Sequence, residues 1–197
     1  MSVLYKTTHF FPSPPKESEM TLLEGARAMN RDALVKIFDL YSHPIYNYAL
    51  RLCNDPLVAD FIVGDVFAKL LEQLSAGKGP NKNLRSYLYE MAYHLVVDEA
   101  RYANRGTPLE EAEVFLRPES QSTPSNVEDR LLYDAILHAI RNELTDDQRH
   151  VVVLRFLEGF SLHETARITG KHVGNVKVIQ NRAIAALRKA LENQVVK

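Results

Sequence analysis

Thr21 with Glu24, Ser125 with Glu128, Thr145 with Gln148 and Ser161 with Glu164 share one spacing, a hydroxyl followed three residues later by Glu or Gln. In that arrangement the hydroxyl accepts an orphan N–H of a helix's first turn while the longer side chain reaches back to the cap's own N–H. Each pair therefore marks a helix start. Downstream of these starts apolar residues recur at intervals of three and four, and no period-two run or Asn-Gly hairpin signal appears. The expected fold class is all-α.

Residues 1–20 contain Pro12, Pro14 and Pro15 and no sustained periodicity, so a flexible tail is expected there. After Thr21 an apolar face runs through Ala33, Ile37, Tyr41, Ile45, Tyr48 and Leu52, with an interruption near Pro44. Asp55-Pro56 supplies a cap and a first-turn proline for a helix carrying Val58, Phe61, Ile62, Val66, Phe67, Leu70, Leu71 and Leu74. The glycines and proline of residues 75–83 end it, and the next helix is expected from Leu84 to about Tyr102. Residues 105–127 change character: three prolines, scattered Ser and Thr and a run of acids read as a linker. Two small helical domains joined by an acidic linker follow, at 21–104 and 128–197. In the second, Ser125 starts one helix, Thr145 another that stops at Gly159, Ser161 a short one that ends by Gly170, and Val173 opens a last helix to about Glu192.

The net charge of −1 speaks superficially against a nucleic-acid partner. Counted by segment, however, residues 106–129 hold 1 basic and 6 acidic side chains, and residues 130–197 hold 11 and 7. Lys171, Lys177, Arg182, Arg188 and Lys189 fall in a stretch with no acid, a candidate phosphate-contacting face. The longest apolar runs are far shorter than the roughly 20 residues of a membrane span, so no membrane insertion is expected. The N-terminus lacks the pattern of a secretory signal, and the lone Cys53 makes no internal disulfide, so the cytoplasm is the expected compartment.

The most informative spacing is Ala166, Gly170 and Val176. A helix-turn-helix needs a small residue where its helices cross, a residue tolerant of positive φ in the turn, and an apolar residue packing the second helix on the first. Ile168 and Ile179 add apolar contacts. Recognition helices present their N-terminal residues to base edges, which nominates His172, Gly174, Asn175, Lys177, Val178 and Asn181, with Lys171 and Arg182 near phosphates.

The segment from Leu144 to Gly170, followed by Val173-Gly-Asn-Val-Lys, resembles region 4 of the sigma-70 family of bacterial RNA polymerase initiation factors. Ala33 to Arg51, Ala59 to Phe67, Leu84 to His94, and Asp98 with Arg101 resemble its region 2. Both halves in this order are similar to the family's short extracytoplasmic-function branch. Tyr87, His94, Gly64 and Ile179 stand where that family commonly has Trp, Asn, Gln and Arg, which bears on the promoter sequence more than on the fold. The resemblance implies partners: core RNA polymerase through its clamp helices and flap, promoter DNA, and an anti-sigma factor. It implies that Asp60, Asp65 and Phe67 face the polymerase, with core packing the competing role for Phe67. It places the loop from Gly77 to Asn83 at a flipped base of the minus-10 element, with Lys82, Asn83, Arg85, Tyr87, His94 and Arg101 at melted DNA. Tyr89 and Tyr93 share a helix face and Tyr87 does not, so at least one tyrosine pair belongs to the core.

No catalytic constellation and no cofactor site is expected. His163-Glu164 begins like a zinc-protease signature, but Arg167 stands where the second His is required. The alternative to a sigma factor is a stand-alone helix-turn-helix regulator with an N-terminal ligand-binding or dimerisation domain.

Overall fold

A computed structural model of the chain describes residues 16–103 and 127–195. All regular structure among them is helical, and none of their helices is long and apolar enough to cross a membrane. The chain divides into two compact units, one holding residues 16–103 and the other 127–195. The linker expected over 105–127 and the Ser125 cap lie outside the described residues.

The first unit comprises α1 (Lys16–Arg27), α2 (Arg31–Cys53), α3 (Pro56–Ser75) and α4 (Leu84–Ala103). Helix α2 packs against each of the other three. Ile37, Ile45 and Tyr48 of α2, Ile62, Val66 and Leu70 of α3, and Leu84, Leu88 and Tyr89 of α4 are fully or almost fully buried. Tyr48 and Tyr89 meet edge to face with centroids 5.3 Å apart, a geometry worth about 0.5–1.5 kcal/mol beyond the area it buries. The Asp55 carboxylate accepts the N–H groups of Leu57 and Val58 at 2.8 and 3.3 Å, so the expected cap of α3 is present.

Two expectations are corrected by the fold. Helix α1 begins at Lys16, so Thr21 sits inside it and is no cap, and residues 16–20, expected in the tail, are helical. Leu23 and Ala26 bury one face of α1 in the core, and the Glu19 carboxylate accepts the Arg85 N–H at 3.3 Å, which holds the added turn. Pro44 does not interrupt α2. A mid-helix proline costs about 3 kcal/mol, and burial of Ile37 and Ile45 on either side, at about 1.5–3 kcal/mol each, offsets it.

The second unit comprises α5 (Val127–Glu143), α6 (Asp146–Val152), α7 (Leu162–Ile168) and α8 (Val173–Val195), with a wider π-helical turn, Val153–Leu157, continuing α6. The Gln148 side chain accepts the Thr145 N–H at 3.1 Å. Ser161 and Glu164 make the reciprocal pair, at 2.8 and 3.2 Å. The π-turn is a feature the sequence pattern did not anticipate. It ends at Leu157, two residues before Gly159, whose φ of 73° turns the chain, and it buries Val153 and Leu154.

Candidate nucleic-acid interface

The turn between α7 and α8 is fixed by backbone hydrogen bonds. The Lys171 N–H donates to the Ala166 carbonyl at 2.9 Å and the Gly170 N–H to that of Arg167 at 3.2 Å, with Gly170 at φ 64°. This is a Schellman end, which satisfies orphan carbonyls and needs the left-handed residue that glycine tolerates. Ala166 and Val176 are buried together with Val151, and Leu162, Val173 and Ile179 pack around them. The three positions singled out for a helix-turn-helix thus each hold the expected place.

Arg155, on the π-turn, fastens this scaffold. Its Nε donates to Gln180 Oε1 on α8 at 2.9 Å, its Nη1 donates to the Phe160 carbonyl, and its guanidinium lies over the Phe156 ring. Burial lowers its pKa, an effect that Glu164 opposes. The sequence reading missed it, since an arginine's role as a brace depends on contacts from distant positions. Lys171 Nζ pairs with the Asp147 carboxylate at 3.0 Å, tying the turn to the start of α6. His150 is buried, which drives its imidazole down to about 4 although Asp146 and Asp147 pull the other way.

Of the nominated reading residues, His172, Gly174, Asn175, Lys177, Val178, Asn181 and Arg182 are solvent-exposed, and Lys171 is half-buried in its ion pair. The buried side of α8 carries Val176 and Ala183.

On α4 the candidates divide. Tyr89 and Tyr93 are buried in the core, whereas Tyr87 is half-exposed and His94 and Arg101 are exposed. Tyr87, His94 and Arg101 recur every seven residues and so share one stripe. Lys82 and Asn83 are exposed before the helix, and the Arg85 guanidinium lies 5.5 Å from the Tyr89 ring centroid. Arg101 pairs with Asp98 at 3.3 Å. Gly77, in the loop before α4, closes the end of α3. Its N–H donates to the Leu74 carbonyl at 3.0 Å and that of Lys78 to Gln73 at 2.8 Å, with Gly77 at φ 68°, a second Schellman end.

On α3, Asp60 is exposed and Asp65 is held by Lys69 at 3.1 Å. Phe67 is only 9% exposed and its ring centroid lies 4.8 Å from that of Phe38. Its expected outward-facing role is corrected to core packing. What α3 does present is a row the sequence reading passed over: Leu57, Phe61, Gly64, Ala68 and Leu71, at offsets of four and three, all exposed. Leu57 is 79% and Phe61 57% exposed. The signal available was an excess of apolar residues, more than one buried face of α3 can hold.

Among the described residues no group of His, Cys, Asp and Glu is placed to hold a metal ion.

The model for Sigma-70 region 2 matches residues 37–106 and that for Sigma-70, region 4 matches residues 142–189, together more than half of the chain. The ECF RNA polymerase sigma factor BldN of Streptomyces coelicolor is 30% identical over 173 residues, which cover 87% of this chain and 65% of that relative. The chain thus spans just under two thirds of BldN's length. Two solved structures share the fold at 20% identity: CnrH in complex with the cytosolic domain of CnrY, with a TM-score of 0.67 over 89% of this chain and 98% of that one, and the sigma factor RpoE in complex with the anti-sigma factor NepR from Bartonella quintana, at 0.61 over 80% and 95%. With region 2 preceding region 4, and a helix-turn-helix built in the second unit, the chain belongs to the sigma-70 family, in its extracytoplasmic-function group.

Proposed function

We propose that this chain directs core RNA polymerase to specific promoters, its second unit reading the minus-35 element and its first recognising and melting the minus-10 element. The observation that carries the reading is the exposed face of α8 between Val173 and Ala190, which holds four cations and no acid opposite buried Val176, joined in one chain to a region 2 unit. Side chains at the start of α8 reach base edges, and Lys177, Arg182, Arg188 and Lys189 meet phosphates. On α4 the Tyr87, His94 and Arg101 stripe, with Lys82 and Asn83 before it, is the surface offered to separated strands. A half-exposed aromatic ring stacks an unpaired base at about 1–3 kcal/mol. The apolar row of α3 with Asp60 docks on the polymerase, a role that burial denies to Phe67. An anti-sigma partner, of the kind found in the complex of RpoE with NepR, would inhibit the chain by covering this exposed apolar row.

The role calls for binding and strand separation, with no catalytic chemistry in this chain. In vitro transcription with core polymerase on the DNA upstream of its own gene tests it. Initiation that requires both proteins is expected, and failure of the chain to bind core polymerase would overturn the reading in favour of a stand-alone regulator. Replacing Asn83 and Arg85 by Ala is expected to slow open-complex formation without unfolding the chain.

A further inference from the structure

The exposed side of α8 is organised as a floor between two walls. Gly174, Val178, Asn181 and Ala185 follow one another at offsets of four, three and four, all exposed, on the side away from Val176 and Ala183. None of the four is charged. Lys177 and Arg188 flank the row on one side, and Arg182 and Lys189 on the other. Such a face matches a duplex groove, with base edges at the bottom and phosphates along both rims.

Two residues on this floor are unexplained by the fold itself. Gly174 has no left-handed φ, and a Cβ built on it meets nothing within 4 Å. Neither backbone conformation nor packing asks for glycine at this first-turn position of α8. Val178, one turn further, is β-branched and 49% exposed. The large exposed apolar side chains among the described residues of this unit are Phe156 and Val178, and Phe156 lies beneath the Arg155 guanidinium. Val178 is therefore an uncovered apolar group at the centre of a face whose rims are cationic, beside a gap left by a missing side chain.

Resting on the duplex-reading role proposed above, we propose that Val178 is a specificity-determining residue that reads the 5-methyl group of a thymine in the major groove. Valine has no donor or acceptor, and the thymine methyl is the apolar group that base pairs present in that groove. Cytosine lacks it. The missing side chain at Gly174 lets the neighbouring base edge approach closely enough for the methyl to reach Val178. Asn181, one turn beyond, offers an amide that matches adenine N6 and N7, so the contacted step is an A·T pair or is flanked by one.

The experiment uses the full chain with core RNA polymerase. A randomised 20-base-pair duplex pool is enriched for binding, and the selected duplex is resynthesised with each thymine replaced in turn by deoxyuridine, which removes the methyl alone. At one thymine the wild-type complex is expected to bind about fourfold more weakly, the effect of one buried methyl group. Val178→Ala is expected to bind thymine and deoxyuridine equally at that position, with unchanged helical content and unfolding midpoint. Indifference of the wild type to every replacement, or sensitivity retained in Val178→Ala, would overturn the assignment while the promoter-reading role stands. Absence of any duplex enriched over core polymerase alone would overturn that role and the assignment with it.

Discussion

Helices α8 and α4 were both expected to face DNA, yet they serve that end with different shares of their surface. Of the eight residues nominated on α8 and the turn before it, seven are solvent-exposed, and the eighth, Lys171 in the turn, is half-buried in an ion pair. On α4 the aromatic residues split, with Tyr89 and Tyr93 in the core and Tyr87 half-exposed. The cause is the width of the buried face and not the number of neighbours, since α4 packs against α2 and α3 while α8 packs against α5, α6 and α7. Helix α4 buries Leu84, Leu88, Tyr89, Ala92, Tyr93 and Val96. Among the described side chains of α8 the buried ones are Val176 and Ala183, seven residues apart on a single line. A helix attached along a narrow line frees its reading face to change without cost to the fold, whereas a helix buried over a wide face binds through what remains.

The contrast is sharpest in stability. Tyr89→Ala is expected to lower the unfolding free energy by about 3–5 kcal/mol, as for other large aromatic truncations in cores, while Val178→Ala stays within about 0.5 kcal/mol of wild type; denaturant titration of both variants reads the difference. Acid should then separate the two units. His150 is neutral in the folded state down to about 4, against an ordinary 6.5. Above 6.5 it contributes nothing, but as the pH falls from 6.5 towards 4 the unfolded chain takes up a proton that the folded chain refuses. The second unit is expected to lose about 3 kcal/mol over that window. Amide hydrogen exchange across α6 and α7 as a function of pH measures this loss, and His150→Gln should flatten it.

Smaller effects test the helix ends. Gly170 and Met29 occupy the same left-handed place, at φ 64° and 55°, after α7 and α1 respectively. Gly170→Ala should cost about 1–2 kcal/mol through conformation alone, because a Cβ there meets nothing. Met29→Gly should raise stability by up to about 1 kcal/mol, read as a higher melting temperature. Finally, Gly174→Ala is expected to stabilise α8 by less than the about 1 kcal/mol of a helix interior, since the residue lies in the first turn, while weakening duplex binding by the polymerase complex. A variant that gains stability without losing binding would show that α8 needs no gap there.

Much of the fold was legible because its signals are local. Asp55-Pro56, Thr145 with Gln148, Ser161 with Glu164 and Gly170 act within a few residues of themselves, so their spacing alone located helix ends. Ala166 and Val176 were legible because a helix-turn-helix fixes their separation. Where the reading failed, a distant contact decided the outcome. Thr21 has the right neighbour in Glu24, but Leu23, Ala26 and Glu19 find partners elsewhere and carry α1 past it. Pro44 is overruled by the buried residues around it, and the widened turn at Val153–Leu157 has no marker of its own in the sequence. At the candidate site, residue types and spacing identified the exposed face of α8. They did not separate Phe67 in the core from Leu57 and Phe61 at the surface, because all three are apolar residues on one helix and only the packing of α2 distinguishes them.

The ion pair between Lys171 and Asp147 has a consequence for how ionic strength would act on duplex binding. A cation that meets a phosphate releases a condensed counterion, and each such release adds about −0.9 to the slope of log affinity against log salt. Lys171 already has a carboxylate 3.0 Å away, so its approach to DNA exchanges one anionic partner for another and releases little. Four cations, Lys177, Arg182, Arg188 and Lys189, then set the slope of this helix at about −3.6. Asp147→Asn would free the lysine and steepen it towards about −4.5, making a single carboxylate outside the reading helix the control on how strongly salt governs its grip.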